Sequence, residues 1–502
     1  MSAIRCPNKK QTPLLFFLSL KYKYMNTVIK TLDGKDIGLS GETINGFRSQ
    51  LTGDLLQTSD PGYDEARKIW NAMIDRRPAL IVKCMGTADV VNCVKFAREH
   101  NLLTSVRGGG HNIAGMSLAN DAMLIDLSPM KLVRVDPGTQ TAFVAPGATL
   151  RHVDHETQLY GLATTTGINS TTGIAGLTLG GGFGWLSRSY GLTVDNLISA
   201  EVVTADGKVI QVNEKENADL FWAIRGGSGN FGIVTSFQFK LYPIGPQVLA
   251  GLIVHPFTDA KKVFEHYRNY TASAPDKATI WVILRKAPPL PFLPHEIHGK
   301  EVFVIAAMYA GDVQEGEKVL EPLRRFGNPI ADVIGPVPFA AWQQAFDPLL
   351  TPGARNYWKS HNFTELSDEL LDTLIEYAGN LPSAMSEIFV AQLGGAINRV
   401  APDATSYPHR NVGFVMNVHT RWEDSSMDAT IIDWARKFFD KTAPYSSGGV
   451  YVNFISEGEE RVDAAFGANF EQLAKIKRKY DPDNFFRVNQ NIKPVSRKPV
   501  SA

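Results

Sequence analysis

Strand-like and helix-like periods alternate through the first half of the chain. "PALIVKC", 78 to 84, is a continuous apolar run of strand length and reads as a buried strand. Thr87 then caps "ADVVNCVKFAREH", where Val90, Val94 and Ala97 recur at helical spacing. "LTSV", 103 to 106, is the next strand, so these pieces form a βαβ unit. Further strands are predicted at "AMLIDL" (122 to 127) and "QTAFVAPG" (140 to 147), and a helix at 151 to 161 that stops at Gly161. "SAEVVTADGKVIQVN", 199 to 213, has two alternating arms about Asp206-Gly207 and predicts a hairpin.

The pattern changes near residue 247. As far as 445, apolar runs such as "TIWVILRKA", "IFVAQLGGAI" and "GFVMNVHTRW" alternate with amphipathic helices, among them "DELLDTLIEYAG". This texture predicts an α+β unit: a large antiparallel sheet covered on one side by helices. From 446 the chain turns compact again, with "GGVYVNF", the helix "NFEQLAKIKRKY" and the turn "DPDNFF" before "RVNQNI". The expected layout is a first part over 45–246, a cap over 247–445, and a return over 446–502 to the first part. Residues 1–24 hold five basic residues, no acidic one and the short apolar run "PLLFFLSL", and are expected to be a disordered extension. That run is too short for a membrane span.

Composition narrows the function classes. Lys+Arg and Asp+Glu both number 51, so no net field attracts nucleic acid or an anionic membrane. The three cysteines, Cys6, Cys84 and Cys93, form no disulfide framework and no zinc pattern, which points to a reducing, cytoplasmic setting and no metal.

Glycine carries the candidate chemistry. "GSGNFG", 227 to 232, matches the dinucleotide fingerprint letter for letter, but a helix precedes it and a strand follows. A Rossmann site needs the reverse order, so the match is discounted. "RGGGH" (107 to 111) and "TTTGINSTTGIAGLTLGGGFGW" (164 to 185) are heavier clusters, both flanked by strands. Bare backbone can converge its N–H groups on an anion, and Arg107 would complement phosphate charge. Two such clusters predict a large phosphate-bearing cofactor, with His111 lying against it.

Around these residues the sequence resembles the berberine-bridge-enzyme-like branch of the vanillyl-alcohol-oxidase-fold flavoproteins, and within it the bacterial oxidases. The likeness spans 45 to 495 and rests on "VRGGGHNIAG", "TTGIAGLTLGGGFGWLSRSYGLTVDNLISAEVVTADG", "DLFWAIRGGSGNFGIVTSFQF" and "KRKYDPDNFFRVNQNI" together. It implies a PCMH-type FAD-binding domain, with FAD joined to His111 by an 8α-histidyl bond. Arg107, Gly108, Gly109, Gly110 and Asn112 would wrap the pyrophosphate. Further FAD contacts are implied for Ser117, Thr166, Gly167, Thr171, Thr172, Gly173, Gly176, Gly182, Val234, Asn489 and Asn491.

Two departures from the family pattern matter. Many relatives carry a second attachment through a cysteine, and Asn169 stands at that place; attachment is therefore expected through histidine alone. Thr172 falls where relatives place an apolar residue that gates oxygen. Where plant relatives end a strand in Y-x-N-Y with a tyrosine base, this chain has Tyr451, Asn453 and then Phe454. Read as a strand, the segment sends Tyr451 and position 454 to opposite faces. Tyr451 and Asn453 are the candidate catalytic pair.

Tyr357, Gln392, Asn417 and His419 are the candidate substrate residues of the cap, and strand alternation puts Asn417 and His419 on one face. The expected reaction oxidises a CH–OH or CH–NH carbon of a small molecule, with O2 reduced to H2O2. A flavin dehydrogenase with another acceptor, or a flavin protein whose chemistry has decayed, are the alternatives.

Overall fold

A computed structural model describes residues 26–458 and 462–496. The extension expected over 1–24 lies outside the described residues.

Four strands, Leu55–Gln57, Leu80–Lys83, Met123–Asp126 and Thr104–Arg107, form the first sheet in that order. The last three run parallel. Leu80, Ile81, Val82, Met123, Leu124 and Ile125 are all shut off from solvent. Burial on both faces is what a continuous apolar run supplies and an alternating one does not. The helix Thr87–Glu99 makes the crossover and buries Val90, Cys93, Val94 and Ala97, one face at helical spacing. Its N-cap is Gly86 rather than Thr87, whose hydroxyl instead donates to Glu201.

A second, antiparallel sheet orders Val209–Asn213, Leu197–Val203, Ile233–Lys240, Thr141–Val144 and Val133–Asp136. Its first two strands are the hairpin about Gly207, whose φ of +76° suits a residue without Cβ. "GSGNFG" does lie between the helix Ala218–Ile224 and the strand Ile233–Lys240, the order opposite to a Rossmann turn.

The cap is an eight-stranded antiparallel sheet that begins at Gln247–Pro256 and ends at Phe414–Trp422. Glu301–Tyr309, Ala278–Lys286, Glu387–Gln392, Phe414–Trp422 and Arg355–Phe363 lie side by side in that order, the last at the sheet's edge. One face packs Val282, Leu284, Ile388, Val390, Met416 and Val418 against four amphipathic helices, including Ala260–Thr271 and Asp428–Thr442. The alternate residues of the same strands face the other way, toward the glycine clusters. That parity decides which cap side chains reach the site.

The C-terminal helix Phe470–Tyr480 returns to the first part of the chain. Its fully buried Lys477 pairs with Asp481 at 2.6 Å and donates to the carbonyls of Asn230 (2.6 Å) and Phe486 (2.8 Å). Asn489 donates to Gly229 O, and Asn230 to Gln490 O. The closing turn and the "GSGNFG" loop are thereby sewn into one wall.

Candidate active site

The two glycine clusters touch backbone to backbone. A Cβ at Gly109 would lie 2.4 Å from the Gly173 nitrogen, and one at Gly173 would lie 2.4 Å from the Gly109 nitrogen. No side chain fits there. The glycines thus serve close loop packing as well as an open cofactor surface.

The joined loops form the floor of a cavity of about 340 Å³, roofed by the free face of the cap sheet. Gly108, Gly109, Gly110, His111, Asn112, Ser117, Gly167, Thr172, Gly173, Gly176, Val234 and Asn489 line it. So do Asn417, His419, Tyr451 and Asn453. Along the wall, the buried Thr104 Oγ1, Ser105 Oγ, Ser117 Oγ, Asn489 Oδ1 and Gln490 Nε2 have no protein partner among the described residues. Buried polar atoms are normally satisfied, so this end is built for a polar ligand with many oxygens and nitrogens. Such a surface over a glycine floor suits a flavin dinucleotide.

The structure puts seven predicted site residues elsewhere. Arg107 does not face the cavity: it makes a two-pronged bond to Asp126 (3.0 and 2.6 Å), its partner in the parallel sheet, and donates to Lys68 O. Its charge is spent holding the loop, not on phosphate. Thr166 accepts from Gln343, and Gly182 N–H donates to the Tyr451 hydroxyl at 3.1 Å; neither lines the cavity. Thr171 and Asn491 also lie off the wall. Tyr357 and Gln392 have the wrong parity. The Tyr357 hydroxyl accepts from Arg436, and the Gln392 amide donates to Thr271 O, both on the helix-covered face. Trp358, one residue on from Tyr357, is the side chain that faces inward.

His111 is held in one tautomer. Thr171 Oγ1 donates to Asn169 Oδ1 at 2.7 Å, so its lone pair receives the His111 Nε2–H at 3.0 Å. Nδ1 then carries the lone pair, 3.4 Å from Thr172 Oγ1. Burial against the cavity wall drives the ring's pKa down to about 3, outweighing the small opposite effect of Thr171. The imidazole is therefore neutral at physiological pH. Trp70 stacks on it at 5.2 Å.

The segment at 451–454 is not a strand. Val452–Phe454 is a 3-10 turn, in which residues three apart eclipse. Tyr451 and Phe454 therefore share a face, with ring centroids 4.9 Å apart, and both line the cavity. The phenol oxygen accepts from Gly182 N–H and from Asn453 Nδ2 at 3.0 Å. Burial nevertheless pushes its pKa up to about 12, so it stays protonated and can donate inward.

Opposite stands a row of side chains that the sequence reading missed in part. Arg285, Glu387, His419 and Trp358 are direct cross-strand partners on four neighbouring strands. Glu387 takes Arg285 Nη1 at 2.8 Å on one oxygen and His419 Nδ1 at 3.0 Å on the other. Burial alone would raise this carboxyl, but the Arg285 guanidinium and the His419 ring prevail and hold it at about 2. A carboxylate only accepts, so His419 Nδ1 carries a proton toward Glu387, and the buried Nε2 has no protein partner among the described residues. The signal for Glu387 was present: it is a single acid opening the apolar strand "EIFVAQ", in phase with Phe389. Trp70, Phe183, Trp281 and Phe389 complete the aromatic walls.

Residues 78–213 match the FAD binding domain family, and 450–493 match the berberine and berberine-like family. The chain is 33% identical to an uncharacterized FAD-linked oxidoreductase, YgaK, of Bacillus subtilis, over 90% of this chain and 99% of that one. A carbohydrate oxidase of Microdochium nivale is 28% identical over 88% of this chain and 92% of its own. The crystal structure of 6-hydroxy-D-nicotine oxidase from Arthrobacter nicotinovorans superposes with a TM-score of 0.80 at 25% identity, covering 89% of this chain and 98% of that one. The fold and site define a flavoprotein oxidoreductase of the vanillyl-alcohol-oxidase type. The chain belongs to the FAD-linked, berberine-bridge-enzyme-like oxidoreductases.

Proposed function

We propose that this oxidoreductase is an oxidase that holds FAD covalently through His111 alone. It oxidises a small molecule at a CH–OH or CH–NH carbon and reduces O2 to H2O2. The carrying observation is the neutral His111, fixed by Thr171 with its Nδ1 lone pair unprotonated beside the cavity. Asn169, at the place of the second attachment in relatives, is a side chain without a nucleophilic atom.

Bound FAD would supply the electron sink, taking the two electrons of C–H oxidation and passing them to oxygen. The protein's residues do the rest. His419 Nε2 takes the proton from the substrate's O–H or N–H, and Glu387 stabilises the imidazolium that results. This assigns the base that Phe454 cannot be. Tyr451, protonated and pinned by Gly182 and Asn453, donates a hydrogen bond to the substrate heteroatom. Trp358, Phe183 and Phe454 exclude water around that exchange.

The test is direct. The purified protein should be yellow, and the colour should stay with the polypeptide after acid precipitation. Flavin freed by acid overturns the tether. A screen of alcohols and amines for peroxide release then reads the reaction.

A second reading, with an acceptor other than oxygen, is favoured by the Thr172 hydroxyl in the cavity wall. Thr172→Leu with timed flavin reoxidation separates the two. Cys84 and Cys93, buried with their sulfurs 3.8 Å apart and unlinked, support a reducing, cytoplasmic setting. Among the described residues no helix is long and apolar enough to cross a membrane.

A further inference from the structure

The roof of the main cavity continues into a second, smaller one of about 60 Å³. Leu252, Val254, Ile283 and Val304 form its back, all on the inward face of the cap sheet. Leu293 and Phe346 close it from the loops. Trp281, Phe389 and Glu387 belong to both cavities, so the smaller space is a side chamber of the larger. Its charged wall residues, Arg285 and Glu387, are paired with each other at 2.8 Å, and Arg285 Nε donates to Lys286 O. The remaining lining is hydrocarbon. A chamber several times the size needed for one water, walled mostly by hydrocarbon, favours an apolar guest over solvent.

We propose that this chamber seats an alkyl or aryl arm of the substrate. The substrate is then amphipathic: its reacting carbon and heteroatom lie between Tyr451 and His419, and its hydrocarbon arm passes Phe389 into the chamber. A saccharide, hydroxylated on every side, would leave hydroxyls unpartnered against Val254, Ile283 and Val304. This assignment rests on the oxidase reading for which carbon reacts, but the chamber's preference is a matter of binding alone.

Binding to the anaerobic holoprotein, read from perturbation of the flavin absorption band, tests it with ethanol, 1-butanol, 1-hexanol and xylobiose as probes. Affinity should rise about fourfold per methylene until the chamber is full, the gain expected for burying a CH₂ group. Xylobiose should bind more weakly than 1-hexanol. Val304→Phe and, on the loop, Leu293→Phe fill the space. Each should weaken 1-hexanol at least tenfold while leaving ethanol affinity and the rate of flavin reoxidation by air unchanged.

Affinity independent of chain length, or tighter binding of xylobiose, overturns the assignment. So does a filled variant that slows reoxidation while hexanol binding persists, since the chamber would then be a passage for oxygen. Acid precipitation of the same sample reports the tether separately. Flavin released by acid would sink the His111 attachment and leave the chain-length series standing.

Discussion

Glu387 and His419 face each other across neighbouring antiparallel strands, carboxylate Oε1 to imidazole Nδ1 at 3.0 Å. The pair is backed by Arg285 and capped edge-on by Trp358, whose ring lies 4.6 Å from that of His419. Trp358 in turn meets Trp70, which stacks on His111. A continuous aromatic path thus joins the imidazole of the flavin loop to that of the cap.

His419→Gln should lower the rate of flavin reduction by about 10²- to 10⁴-fold, the usual worth of a positioned base. The Michaelis constant should change little. Glu387→Gln keeps the shape but frees the tautomer, and should cost less. Stopped-flow reduction across pH checks both, and an unchanged His419→Gln rate removes the base assignment.

Phe454→Tyr brings a hydroxyl to the ring beside Tyr451 and 5.4 Å from Trp358. Alone it should fold normally, because the ring already lines an open cavity. Combined with His419→Gln it should recover roughly tenfold of the lost rate, as a second proton acceptor on the shared face. No recovery would show that position 454 lies out of reach of the reacting proton.

Tyr451→Phe removes the acceptor of two hydrogen bonds and strands Gly182 N–H, while the Asn453 amide keeps its bond to Leu177 O. The expected cost is about 1–3 kcal/mol, read as a fall in the urea midpoint of the holoprotein. Turnover should fall as well, since the substrate heteroatom loses its donor.

Gly109→Ala places a methyl group 2.4 Å from the Gly173 nitrogen. Backbone cannot step aside as a side-chain tip can, so the loops must part, costing about 1–3 kcal/mol or more. Flavin content per chain, measured by visible absorbance after acid precipitation, should drop with stability. Retention of full flavin would mean that the contact between the clusters is dispensable.

Asp154 gives a pH dependence. Burial, aided by Asp347, raises its pKa from 3.8 to about 7 despite the Gln343 amide. Between these values the folded state holds a proton that the unfolded state has released, so stability falls as pH rises from 4 to 7. Asp154→Asn should therefore stabilise the protein above pH 7, by about 4 kcal/mol at most, and make no difference near pH 4. Denaturant melts at the two pH values decide it; equal gains at both refute the assignment.

Local pattern was enough for much of this protein. The apolar run at 78–84 and the hairpin about Gly207 formed as read, because each is decided within a dozen residues by periodicity and turn chemistry. Alternation likewise sent Asn417 and His419 to one face, since a strand has only two. The histidine beside its glycine run was singled out for the same reason, and the structure sets it in the cavity wall: bare backbone next to an imidazole is a local property.

Tertiary structure decided the rest. Arg107 looked like a phosphate ligand until the parallel sheet set Asp126 beside it, a partner 19 residues away. Tyr357 and Gln392 lost the site by one residue of parity, because which face of a strand meets the cavity depends on where the helices pack. Tyr451 and Phe454 came together because a 3-10 turn, not a strand, carries them. Glu387 gained its partners only when three strands, distant in sequence, fell into register. Short-range physics fixes elements and their faces; partners across a sheet exist only once the chain has closed on itself.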